Sequence, residues 1–178
     1  MSQTALFSRA TSSEAHAEVF REAVTMVLYV CVVEIAELAA LPESHFSHGQ
    51  VTGAVGGQLL AIVWGTAVGL AIAHWFAFRL AAPAFRGERP TRQDTNIGLA
   101  QIGGAVVVAA VSSIPVVFFS DVRAQETTGD VPAIIIGVVA YLLSRHAGRS
   151  RIASTFYGIT ALALGILVAL VKSKLAAH

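Results

Sequence analysis

The sequence predicts an all-α, polytopic membrane protein with five transmembrane helices, its N-terminus cytoplasmic and its C-terminus outside. Three observations carry that prediction. The first is composition: of 178 residues, 55% are hydrophobic and only 13% are charged, against roughly 45–50% and about 25% in an ordinary soluble domain. With a mean hydropathy of +0.68, the chain has too few charges to cover the surface of a soluble fold of this size. Disorder is excluded as well, because it needs low hydrophobicity and high net charge. The second observation is the recurrence of apolar runs close to the roughly 20 residues that a helix needs to cross the hydrocarbon core. The third is the way positive charge alternates from one loop to the next.

The first span is expected at residues 22–41, ending before Pro42. Thr11-Ser12-Ser13-Glu14 has capping-box spacing, so a short helical extension over residues 12–21 leads into it. Glu14, Glu18 and Glu22 recur every four residues there and form one polar stripe. The acids of this segment, with Glu34 and Glu37 inside the apolar run, do not fit a signal peptide. The second span is expected at 51–80, about 45 Å of helix, long enough that it must tilt or project beyond the hydrocarbon core. The third covers 97–119 and contains Pro115, which removes a backbone donor and favours a kink. Ser112 and Ser113 are placed to satisfy the freed carbonyls. The fourth covers 131–143, the shortest, with Pro132 expected in its first turn, where proline is tolerated. The fifth covers 152–171. The β-branched runs Val106-Val107-Val108 and Ile134-Ile135-Ile136 lack the alternation of a barrel, and open strands are not viable in lipid.

Arginine and lysine orient the chain. Arg9 and Arg21 precede the first span, and the next loop has no positive residue. Arg79, Arg86, Arg89 and Arg92 surround the second loop, and Arg123 stands alone in the third. Arg145, Arg149 and Arg151 occupy the fourth, and Lys172 and Lys174 lie in the tail. An inside N-terminus puts nine of these inside and three outside. Arginine outnumbers lysine ten to two, a bias that points to a GC-rich bacterial genome and hence to a bacterial inner membrane.

Several functions are excluded or disfavoured by what the chain lacks. A net charge of +1 gives no basic footprint for nucleic acid. The single cysteine, Cys31, permits neither an internal disulfide nor a cysteine-cluster metal site. There is no HExxH, P-loop or CxxC, so neither an enzyme nor a cofactor is expected. Five spans do not divide into the two equal inverted halves of many carriers.

The residues left to carry chemistry are ionisable groups inside apolar runs, which are functional candidates by default. Glu34 and Glu37 lie three apart on one helix face. Such a carboxylate pair can share a proton or offer oxygen ligands to a hard cation, and repeated around a symmetry axis it forms an acidic ring. His74, in Ala73-His74-Trp75-Phe76, is the candidate inner relay or gate of the same ion pathway. Glu43, His45, His48 and Asp121 form a candidate outer vestibule whose acidic excess would concentrate cations. The two histidines are spaced to meet one metal, although a zinc site needs three or four ligands. Gly53, Gly57, Gly65 and Gly69 set two small-xxx-small faces on the second span, the pattern that lets helices approach closely, within the chain or between subunits.

The functional expectation is a cation-permeable channel or a proton-coupled transport protein. Five helices leave little interior for a solvated path, so conduction is expected from a homo-oligomer with the path near its axis. Its partners are the lipid bilayer and small cations or protons. The alternative is a non-transporting assembly, regulatory or scaffold subunit, whose acids meet a partner helix and whose arginine-rich loops meet anionic lipid or a cytosolic protein.

Overall fold

The computed structural model describes residues 3–42, 45–47, 50–86, 92–119 and 122–176. It is a bundle of long helices: α1 (Gln3–Leu38), α2 (Gly57–Arg86), α3 (Arg92–Ser112), the single turn α4 (Ile114–Phe118), α5 (Val122–His146) and α6 (Arg151–Ala176). A two-stranded antiparallel hairpin, β1 (His45–Ser47) with β2 (Gln50–Thr52), links α1 to α2.

Four segments are long and apolar enough to cross a membrane: Gly57–Ala77, Arg92–Phe118, Arg123–His146 and Arg151–Val168. Their outward faces are apolar. Ile72, Phe76 and Leu80 on α2, Val107 on α3, Ile134 and Leu142 on α5, and Ile152, Phe156 and Leu170 on α6 are all exposed. A belt of this extent is what lipid, rather than water, covers, and it marks a membrane protein. The fifth long helix, α1, is the most polar. It also touches all four of the other long helices, α2, α3, α5 and α6. Placing the acid-bearing helix at the centre turns its carboxylates away from lipid, as their desolvation demands.

The core is built from small residues. Met26, Val30, Cys31 and Ile35 of α1 pack on Val63, Ala67 and Ala71 of α2, Ala105, Val108 and Ala109 of α3, and Ala133 and Ile136 of α5. A second cluster joins Leu38, Leu59, Val116 and Ala124 near the hairpin end. The closest helix approaches are made at glycines. A methyl group at Gly104 of α3 would stand 2.8 Å from the Ala23 carbonyl oxygen of α1, and one at Gly158 of α6 would stand 2.9 Å from the Gly137 carbonyl oxygen of α5.

Several boundaries differ from those read in the sequence. α1 is continuous from Gln3, so Thr11–Glu14 lies within the helix rather than at its start. The second helix starts at Gly57 rather than at Val51, because residues 50–52 pair with β1. Gly53 (φ 111) and Gly56 (φ 54) then turn the chain in a region that favours glycine. The third span is divided at Ser113, which leaves Pro115 in the first turn of α4, where its missing N–H is no loss. The fourth is a full 25-residue helix, and Pro132 is in its interior rather than its first turn. Its start escaped notice because Val122–Asp130 is polar, whereas helix formation follows packing as much as hydropathy. Ser150 caps α6, its Oγ accepting the Ala153 N–H at 3.3 Å.

The helix directions gather Arg21, Arg79, Arg92, Arg145, Arg149 and Arg151 at one end of the bundle, hereafter the arginine end. Pro42, the hairpin and the start of α5 lie at the other, where Gln125 Nε2 donates to the Pro42 carbonyl at 3.0 Å.

Candidate functional site

α1 and α3 run side by side in the same direction, and their seam carries paired polar groups at both ends with an apolar stretch between. At the arginine end, Gln93 Nε2 donates to Glu18 Oε2 at 2.6 Å and Gln101 Nε2 donates to Glu22 Oε2 at 3.2 Å. Toward the hairpin end, Ser112 Oγ donates to Glu34 Oε2 at 2.8 Å. Between these lie Met26, Val30 and Cys31 against Ala105, Val108 and Ala109.

Glu34 is the most enclosed acid among the described residues, at 1% exposure. Only one of its oxygens is satisfied, for Oε1 has no hydrogen-bond partner. Taking a carboxyl group out of water without full compensation is costly. An unfilled oxygen in such a place is an open position: it can carry a proton, accept a donated hydrogen bond or ligate a cation. Glu37, one turn on, is half-buried and accepts a hydrogen bond from Thr66 Oγ1 of α2. The two predicted acids therefore face different helices: Glu34 turns to α3 and Glu37 to α2.

The serines serve other partners than the sequence implied. Ser112 turns to Glu34. Ser113 Oγ donates to the Ala109 carbonyl at 2.7 Å and accepts from Trp64 Nε1 at 3.0 Å. Ser112 and Thr66 are thus the residues of this site that sequence reasoning missed. Both are small hydroxyls in apolar runs, and nothing local ties them to an acid 78 or 29 residues away.

His74 is not part of the Glu34 cluster. It is exposed, and it lines a cavity of about 150 Å³ at the arginine end with Glu22, Thr25, Met26, Tyr29 and Gln101. The apolar stretch separates it from Glu34. Among the outer-vestibule candidates, Glu43, His48 and Asp121 lie outside the described residues. His45 opens β1, and its side chain is likewise outside them. No group of three or more His, Cys, Asp or Glu able to hold a metal occurs among the described residues. The predicted glycine face has no neighbour among the described residues: Gly57, Gly65 and Gly69 have nothing within 4 Å of an added methyl, and Gly53 belongs to the turn after β2.

The fold and site together define a helical membrane protein with a half-satisfied carboxyl group in its core. Comparison with protein-family models, curated proteins and solved structures found no match.

Proposed function

We propose that this protein spans the bacterial inner membrane five times, N-terminus inside and C-terminus outside, and moves cations or protons across it as a homo-oligomer. Glu34 is the protonation or cation-binding site. The observation that carries the reading is the Glu34 carboxyl group, enclosed among apolar side chains with Oε1 unpartnered. A group of this kind has to be solvated by something, and a passing proton or cation is the ligand that its chemistry selects. Glu37, tied to Thr66, is the neighbouring carboxyl that tunes it. The apolar stretch between Glu34 and the arginine end acts as a closed gate, since constrictions of this type block ions by excluding water. The test is ion flux from purified protein in liposomes, across pH and a panel of cations, beside Glu34→Gln. The variant keeps a side-chain oxygen for Ser112 and loses the titratable, anionic oxygen. At least a tenfold fall in flux is expected; unchanged flux, selectivity and pH response would refute the role of Glu34.

A second reading has its own support. The open glycine stripe of α2 suits close approach by another helix, as in an assembly or regulatory subunit of a larger complex. Recovery of one stoichiometric partner, with no flux from the pure protein under any condition, would favour it.

A further inference from the structure

We infer that the cavity between α1, α2 and α3 at the arginine end binds a small organic ammonium ion. This site is separate from Glu34, and the inference does not depend on transport. The cavity measures about 150 Å³ and is lined by Glu22, Thr25, Met26, Tyr29, His74 and Gln101. A cavity of about that volume holds a molecule the size of benzene. Its wall is mostly apolar, with a single carboxylate, Glu22, among its polar groups. Gln101 Nε2 gives one of its two N–H groups to Glu22 Oε2 at 3.2 Å, and its buried carbonyl Oε1 has no hydrogen-bond partner. Thr25 Oγ1 gives its proton to the Arg21 carbonyl at 2.9 Å and keeps its lone pairs. An anion would meet the repulsion of the Glu22 charge. A bare metal ion prefers six or more oxygen ligands, and most of this wall is apolar. A positive, partly apolar ligand suits both parts of the wall: the Glu22 carboxylate for its charge, Met26 and Tyr29 for its methyl or methylene groups.

One group competes. Arg21 Nη2 donates to Glu22 Oε1 at 3.2 Å. Its side chain is 69% exposed, and such a surface pair is weak, so a ligand that is better enclosed displaces it.

The test is calorimetric titration of the purified full-length protein in uncharged detergent with tetramethylammonium chloride. tert-Butanol serves as a neutral molecule of similar shape, and sodium chloride matches ionic strength. Saturable binding of tetramethylammonium alone is expected. Glu22→Gln, which keeps hydrogen-bonding capacity, should weaken it at least tenfold, and Tyr29→Leu should weaken it several-fold. Arg21→Gln should strengthen it, because the competitor is gone. Glu34→Gln should leave it unchanged, so this result and the flux result stand or fall separately. Equal binding of tert-butanol would reduce the cavity to an apolar gap. No heat above the salt control, or full binding by a folded Glu22→Gln protein, would overturn the inference outright.

Discussion

Glu34 and Ser112 form the pair on which residue-scale chemistry turns. Removing the serine hydroxyl leaves both carboxyl oxygens without partners in a site that is 1% exposed. Ser112→Ala is therefore expected to destabilise the protein by about 1–3 kcal/mol, the usual penalty for orphaning a buried polar group. Thermal unfolding in detergent measures this. Replacing both partners with apolar groups removes the penalty at its source, so Glu34→Leu combined with Ser112→Ala should recover most of the loss while abolishing any flux that depends on the carboxyl. Full stability of the single Ser112→Ala variant would show that the hydrogen bond is unimportant to folding. At this scale the sequence was half legible. An acid in an apolar run identifies itself, which is why Glu34 was visible. Its partner was not: Ser112 sits beside Pro115, and local reasoning tied it to the backbone there. Glu22, Thr25, Met26 and Tyr29 share one helix face by their spacing, but only the crossing of α2 and α3 brings His74 and Gln101 against that face.

Between elements, contact is set by glycines whose roles their spacing did not reveal. The small-xxx-small pattern drew attention to α2, yet the tight approaches to backbone are at Gly104 against Ala23 and at Gly158 against Gly137. A pattern of small residues says that a helix can be approached, not which helix approaches it. Gly104→Ala would push α1 and α3 apart, because the obstacle is backbone and cannot rotate away. A loss of about 1–3 kcal/mol is expected, as for other overpacked cores. Gly103→Ala, one residue earlier with nothing within 4 Å, is the matched control. It should be neutral or stabilising by up to about 1 kcal/mol, through the lower entropy of the unfolded chain. Equal effects of the two substitutions, measured by denaturation in detergent, would deny that Gly104 is a contact point. Helix identity was otherwise well read from apolar runs. Boundaries failed where polarity concealed a helix, as at Val122–Asp130, or where a short hairpin borrowed apolar residues, as at Val51.

For the whole molecule, the arginine collar makes the orientation testable. Cys31 is the one cysteine of the chain, and it is buried, so an impermeant thiol reagent should not label the native protein. Pro42→Cys, at the hairpin end, and Ala147→Cys, between α5 and α6, place a thiol at exposed positions on opposite ends of the bundle. Intact cells should label the former and not the latter; the opposite result would invert the proposed topology. At this scale the helical membrane class was legible in the sequence, because run length is a property of the chain that needs no knowledge of packing, and four of the runs are helices long and apolar enough to cross a membrane. What it could not convey is that the polar helix occupies the centre. That arrangement has an electrical consequence. Glu22 and Glu34 are separated along α1 by about 18 Å at 1.5 Å of rise per residue, and the interval is filled by hydrocarbon and sulfur-bearing side chains of low polarity. On the proposed topology, this stretch of low polarity would take up a large share of the membrane voltage. A single charge that crosses a full 100 mV gains or loses about 2.3 kcal/mol, so a few small side chains of α1 and α3 would determine where along the protein that work is done.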